Sequence, residues 1–236
     1  MGVFITPSET RTVINYLRMN EYNKELVKKY ARGRSEFSDT DSGLMKLTER
    51  VEVLDKDVLD LGSGDGRYTA MLLEMGARSI KGIDISPEMI ELARGQYEDI
   101  EFILGDCLQM PFEDESFDIV FSNYALHYCE SAEKAFKEIS RVLKKGGCFI
   151  GIFNSVDTDS HEILNKAMPI FLGDEDEVLL YNLMKSDEEY DSAIEKAGLE
   201  TIERIIKPNV CASIDPSFEH YSKIKQLKTM MFLCRK

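Results

Sequence analysis

Apolar positions along the chain change their period near residue 56. Before it they recur at helical spacing: Val13, Ile14 and Leu17, then Tyr22, Leu26, Val27 and Tyr30, then Leu44, Leu47 and Val51. This spacing predicts helices over 9–31 and 41–51, interrupted at Arg32–Ser38. From Lys56 to Phe153 short apolar runs alternate with amphipathic stripes. The runs Lys56–Leu61, Ser79–Asp84, Ile100–Leu104, Phe117–Ser122 and Cys148–Phe153 read as strands. Helices are expected between them over Arg67–Met75, Pro87–Gln96 and Ala132–Leu143. Ser86 is placed as an N-cap with Pro87 at the first helical position, and Gly146-Gly147 stops the last helix. Strands alternating with helices imply an α/β fold with a parallel, doubly wound sheet.

Beyond Phe153 the pattern changes again. Residues 154–198 carry no strand signal until a helix over 188–197, begun at Ser186-Asp187 and ended by Gly198. Asp174–Glu177 and Asp187–Glu189 read as solvated acidic surface. Leu199–Lys207 and 227–234 are expected to be a sixth and a seventh strand.

Composition narrows the classes. A chain of 236 residues, 43% hydrophobic and 31% charged, is expected to form one globular domain. No apolar run approaches the ~20 residues of a membrane span. The N-terminal residues lack the pattern of a signal peptide. The formal net charge is −14, and the basic pairs Lys28-Lys29 and Lys144-Lys145 are isolated, which counts against nucleic acid and anionic membranes as partners. Five scattered cysteines without a CxxC suggest neither a zinc site nor a redox pair, and a reducing cytoplasm is the expected home. His161-Glu162-Ile163-Leu164-Asn165 misses the HExxH zinc pattern, because Asn165 stands where the second histidine is needed.

The richest stretch is Val58-Leu59-Asp60-Leu61-Gly62-Ser63-Gly64-Asp65-Gly66, an apolar strand running into glycines at alternate positions. Strand, glycine loop and helix open a nucleotide-binding βαβ unit. The spacing G-x-G-x-G is not the G-x-G-x-x-G of nicotinamide dinucleotides. Asp60 and Asp65 suit a cofactor with a cationic, phosphate-free end better than a pyrophosphate. Asp84 lies 22 residues beyond Gly62, one turn, helix and strand later, beside the loop at the carboxyl ends of adjacent strands. A carboxylate there accepts two charge-assisted hydrogen bonds from a vicinal diol. Asp106, at the end of the next strand, reaches the same crevice.

The glycine stretch resembles the first motif of class I S-adenosylmethionine (SAM) dependent methyltransferases. Gly82–Ile90 resembles that family's second acidic strand end, and Gly105–Phe112 its adenine-reading loop. Phe117–Val120 and Arg141–Gly147 resemble its fourth strand and the lead into the fifth. The match covers about 50–153 and looks most like the small-molecule branch that includes ubiquinone-biosynthesis enzymes. The resemblance implies a Rossmann-like three-layer αβα sandwich on a seven-stranded, mostly parallel sheet with an antiparallel last strand. The helices at 9–51 then become an N-terminal helical addition or cap, 52–153 the SAM-binding core, 154–198 a variable substrate-side segment and 199–236 the C-terminal strands.

It also implies SAM as cofactor, S-adenosylhomocysteine as product, a small-molecule methyl acceptor and a cofactor site drawn from Tyr30, Asp60, Gly62, Gly64, Asp84, Ile85, Met89, Asp106, Cys107, Leu108 and Asn123. Methyl transfer from a sulfonium is an in-line displacement, so positioning dominates and a base is needed only where the acceptor must lose a proton. His127 is the candidate base, with packing on a short helix as the competing role. Tyr124 and Tyr128 are candidates for the acceptor pocket. Two other functions are weighed: a nicotinamide-dependent oxidoreductase, and a SAM-binding regulatory protein without turnover.

Overall fold

The computed structural model describes residues 14–17, 46–156, 168–171, 177–180, 185–208 and 228–236. Its centre is a sheet of strands β2 (Asp57–Leu61), β3 (Ser79–Asp84), β4 (Glu101–Leu104), β5 (Phe117–Asn123), β6 (Leu143–Val156), β10 (Glu200–Pro208) and β11 (Lys228–Arg235). Their order across the sheet is β10-β11-β6-β5-β2-β3-β4. The pairs of β2 with β3 and β5, β3 with β4, and β5 with β6 are parallel, and β11 runs antiparallel to both its neighbours. The antiparallel last strand implied by the family resemblance is therefore present.

Both faces of this sheet are covered, which is why its strands read as continuous apolar runs. Helices α1 (Arg67–Glu74) and α2 (Pro87–Gln96) bury Leu72, Ile90 and Ala93 against Val58, Ile119, Phe121, Ile150 and Ile152. On the opposite face α3 (Ala132–Val142) and α4 (Asp187–Lys196) bury Phe136, Ile139 and Tyr190 against Leu59, Val120, Phe149, Phe153 and Phe232. Neighbouring residues of each strand face opposite layers, as the period-2 pleat requires. Phe153 stacks on Phe232 with ring centroids 5.4 Å apart.

The helices start where their caps dictate. Ser86 accepts from the N–H of Met89, with Pro87 in the first turn. Ser186 and Glu189 form a reciprocal capping box on α4. No helix among the described residues is long and apolar enough to cross a membrane.

Two expectations are corrected. Ile14–Leu17, expected inside a helix over 9–31, is strand β1 of a second sheet, β1-β8-β7, with β7 at Met168–Phe171 and β8 at Glu177–Leu180. The run Thr12-Val13-Ile14 is β-branched, and pairing with β8 overrides the helical spacing. Residues 154–198, expected to lack strands, contain β7, β8 and the short β9 (Lys185–Ser186), which extends the edge of β6. Pro169 within β7 and the acids that run into β8 mask both strands in the sequence. Of the helix expected over 41–51, residues 46–48 are helical and Leu47 is buried.

At the amino ends of β2 and β5, on the edge away from the glycine loop, four charged groups interlock. Asp57 accepts from Arg78, Ser79 Oγ (2.8 Å) and Lys144 Nζ (2.7 Å). Asp118 accepts from the Asp57 N–H (2.9 Å) and from Lys144 (3.0 Å). The Arg78 guanidinium, then Lys144, holds the Asp57 carboxyl far below the usual carboxylate range. Burial alone pushes Asp118 upward, but the Asp57 N–H and Lys144 outweigh it and its carboxyl also lies low. Depressed carboxyls stabilise the fold above the unfolded-state value near pH ~4, and the stabilisation is lost as pH falls through the folded-state values. Asp57→Asn is expected to flatten the acid limb of the stability–pH curve below pH ~4 and to lower Tm at neutral pH by about 5 °C. Thermal melts from pH 2 to 7 check both; a parallel acid limb in the variant contradicts the assignment.

Candidate functional site

The order of the sheet reverses between β2 and β5, so a crevice opens at the carboxyl ends of these strands. The carboxyl ends of β2, β3, β4 and β5 meet there, carrying Gly62, Asp84, Asp106 and Asn123 respectively. The glycine loop curls back on β3: the N–H groups of Gly62 and Ser63 both donate to the Ile83 carbonyl, at 2.8 and 3.0 Å. Gly62, Gly64 and Gly66 all have positive φ, at 76°, 55° and 83°. A Cβ on Gly62 would meet the Ala125 Cβ at 2.1 Å, whereas a Cβ on Gly64 would meet nothing within 4 Å. The first glycine therefore seats the loop on the turn after β5, and the second faces open space.

Asp84 is 6% exposed and shapes the loop itself. Its Oδ2 accepts from the Gly64 N–H (2.8 Å) and its Oδ1 from the Ser86 N–H (2.9 Å). Its carbonyl accepts from Gly105 N–H (2.9 Å), which ties the following loop to the same edge. Asp106 caps that loop, Oδ1 accepting from the Leu108 N–H at 2.8 Å. Ile85 is 41% exposed, an aliphatic surface beside Asp84. Met89 is buried on the inner side of α2. Asp60 is 1% exposed and accepts from Thr69 Oγ1 at 2.6 Å, so its carboxylate ties the end of β2 to α1. Asp65 accepts from the Arg67 N–H at the start of the same helix. Tyr30 lies outside the described residues.

After β5 the chain turns sharply. Tyr124 has φ 53°, a left-handed conformation that is costly for a bulky residue. Its N–H donates to the Ile152 carbonyl at 2.6 Å, and its hydroxyl meets Thr229 Oγ1 at 3.3 Å. Leu126–Tyr128 is a single 3-10 turn carrying His127, which is 2% exposed between the rings of Tyr124 and Tyr128. Lys185 closes this turn from outside, donating to the Cys129 carbonyl at 2.7 Å. Burial pushes its ammonium down to about 8.

The sequence suggests no redox pair among the cysteines, and Cys107 and Cys129 depart from that expectation. The structure joins their sulfurs, with Cα atoms 7.3 Å apart, and so links the loop after β4 to the turn after β5.

Two buried polar side chains at this edge have no hydrogen-bond partner among the described residues: Ser63 Oγ and both amide atoms of Asn123. Buried polar atoms are rarely left unsatisfied, and these two belong to the glycine loop and to the carboxyl end of β5. A ligand bearing donors and acceptors satisfies them, and the residues present therefore fit an amino-acid-bearing nucleoside such as SAM. Ser63 was missed by motif reading; its position between two glycines after the first strand was the available signal.

Comparison with known proteins supplies the family. Residues 59–151 match the family model described as "Methyltransferase domain". A demethylmenaquinone methyltransferase of Chlorobaculum tepidum is 38% identical over 91 residues, 39% of this chain and 38% of that protein. The match thus spans less than two fifths of that relative's length. An uncharacterised methyltransferase of Schizosaccharomyces pombe, C70.08c, is 33% identical over 189 residues, 70% of this chain and 68% of that one. Among solved structures, an S-adenosylmethionine dependent methyltransferase from Mesorhizobium loti superposes with a TM-score of 0.57 at 18% identity, covering 78% of this chain and 93% of that one. The chain belongs to the class I S-adenosylmethionine-dependent methyltransferase family.

Proposed function

We propose that this protein transfers the methyl group of SAM to a small-molecule acceptor, chiefly by holding the two in line. The observation that carries this reading is the buried Asn123 amide and Ser63 hydroxyl, which have no partner among the described residues, at the strand ends where Asp84 holds the Gly64 N–H. SAM, when bound, supplies an electrophilic methyl on a sulfonium. The residues supply the rest. Asp84 receives the ribose diol, and Asp106 the exocyclic amine of the adenine through the oxygen not used on Leu108. Ile85 and Leu108 provide apolar surface for the base, and the backbone of Cys107 lies at its edge. Asn123 takes the polar groups of the methionine end. Gly64 leaves room for close approach, because a Cβ there would fill the open space.

His127 sits on the turn that follows Asn123, where an acceptor proton would be removed. The relative named for demethylmenaquinone supports a small-molecule acceptor.

Calorimetric titration with SAM and S-adenosylhomocysteine tests the cofactor half, with micromolar dissociation constants expected and no heat at ~1 mM ligand overturning it. Conversion of SAM to S-adenosylhomocysteine across a panel of quinols, sterols and carboxylates tests turnover. With a proton-bearing acceptor, His127→Asn is expected to lower kcat by roughly 100-fold or more.

A further inference from the structure

The loop after β4 is the nucleobase side of the proposed site, and its tip, Asp106 to Gln109, is a small turn held by Asp106 and by the link from Cys107 to Cys129. Its far half is gripped from α3. Arg141 reaches across and spends its whole guanidinium there. Nη1 donates to the Phe112 carbonyl (2.7 Å) and Asp114 Oδ1 (2.9 Å), and Nη2 to the Met110 carbonyl (3.0 Å). Nε and Nη2 also donate to the two carboxylate oxygens of Glu138, at 2.7 and 2.8 Å. Glu138 in turn accepts the Met110 N–H at 2.8 Å. The N–H of Glu115 and of Ser116 then donate to the carbonyls of Arg141 and Val142.

Apolar packing holds this loop down without setting its register. Met110 is 4% exposed and Phe112 packs edge-on against Phe117 at 5.1 Å. Such contacts are non-directional and tolerate sliding. The planar fork does not: every N–H of the guanidinium has an acceptor at a fixed angle, and both the N–H and the carbonyl of Met110 are fixed at once. The Arg141 bond also draws the Glu138 carboxyl below its ordinary range.

We propose that Glu138 and Arg141 are a clamp that sets the register of the loop carrying Asp106, and so are positioning residues for recognition of the adenine. The inference rests on the cofactor reading above. Neither side chain is placed against the cofactor; they act through the backbone at Met110 and Phe112. A residue that merely stabilises the fold lowers affinity for all ligands alike. A residue that aims Asp106 governs the preference for an amine over a carbonyl at the base.

The test is therefore a ratio. Dissociation constants for S-adenosylhomocysteine and its deaminated analogue S-inosylhomocysteine are measured by calorimetry on the wild type, Arg141→Lys and Glu138→Gln. The wild type is expected to prefer adenine by about tenfold or more. Arg141→Lys keeps the charge and loses the fork, and its preference is expected to collapse below about threefold, chiefly through weaker binding of the adenine ligand. Glu138→Gln, which preserves shape, is expected to lie between, and it decides the matter by the same ratio if Arg141→Lys does not fold. A wild-type ratio in a folded variant overturns the clamp. Failure of the wild type to bind either ligand overturns the cofactor reading on which it rests.

Discussion

Asp84→Ala is expected to weaken SAM binding by about 100-fold or more while leaving a folded protein. Two charge-assisted hydrogen bonds to a diol contribute roughly 1.5–3 kcal/mol each, and ~2.7 kcal/mol already corresponds to a factor of 100. The substitution also removes the acceptors of the Gly64 and Ser86 N–H groups. Unpartnered buried donors cost about 1–3 kcal/mol each, although water admitted into the vacated volume recovers part of this. Because both donors lie at the crevice, the cost falls on the loop more than on the core, where Leu59, Phe121 and Phe153 are untouched. Calorimetry gives the affinity and a melt gives the stability. An unchanged dissociation constant would remove Asp84 from the site. Asp84→Asn refines the comparison: it preserves volume, but its amide nitrogen must face one of the two N–H donors, so the loop is disturbed even where one ribose bond survives.

The core of this molecule was legible because its strands are buried on both faces. Val58–Leu61 and Phe117–Phe121 read as apolar runs, each broken by a single aspartate, and helices α1 to α3 fall where glycine, serine and proline punctuate the chain. The edge carrying Gly62, Asp84, Asp106 and Asn123 was legible for a related reason: a doubly wound sheet brings successive strand ends together, so short local motifs add up to one place. What escaped was non-local. Strand β1 at Ile14–Leu17 is defined by its pairing with β8 at Glu177–Leu180, and neither segment is long enough to declare itself. Cys107 and Cys129 meet across two loops with no motif between them. Arg141 read as part of a lead into a strand, whereas its side chain reaches back to Met110 and Phe112. Asp60 and Asp65, read as partners for a cofactor's charge, spend hydrogen-bonding capacity on Thr69 and on the start of α1.

The glycine loop separates two roles that its sequence runs together, and paired substitutions are expected to show it. Gly62→Ala forces a left-handed residue to carry a side chain, costing roughly 1–2 kcal/mol, and drives its Cβ into Ala125, whose Cβ lies 2.1 Å from the new atom. Overpacking of this kind costs about 1–3 kcal/mol more. Relief requires the Tyr124–Tyr128 turn to move, and that turn carries His127 and follows Asn123. A fall in Tm on the order of 10 °C is expected, with loss of SAM binding alongside it. Adding Ala125→Gly deletes the opposing Cβ and leaves the Ala125 Cα at an ordinary 3.6 Å, so the double variant should regain most of the lost stability and retain only the backbone strain. Gly64→Ala meets no atom of the described residues within 4 Å, so its Tm should fall by only a few degrees, yet in the proposed site its methyl group enters the cofactor's space and SAM affinity should drop steeply. Melts and calorimetry on the three variants read both quantities together. Equal losses of stability and affinity in Gly64→Ala, or no rescue of Gly62→Ala by Ala125→Gly, would mean that the loop is a single structural element rather than a seat at Gly62 and an opening at Gly64.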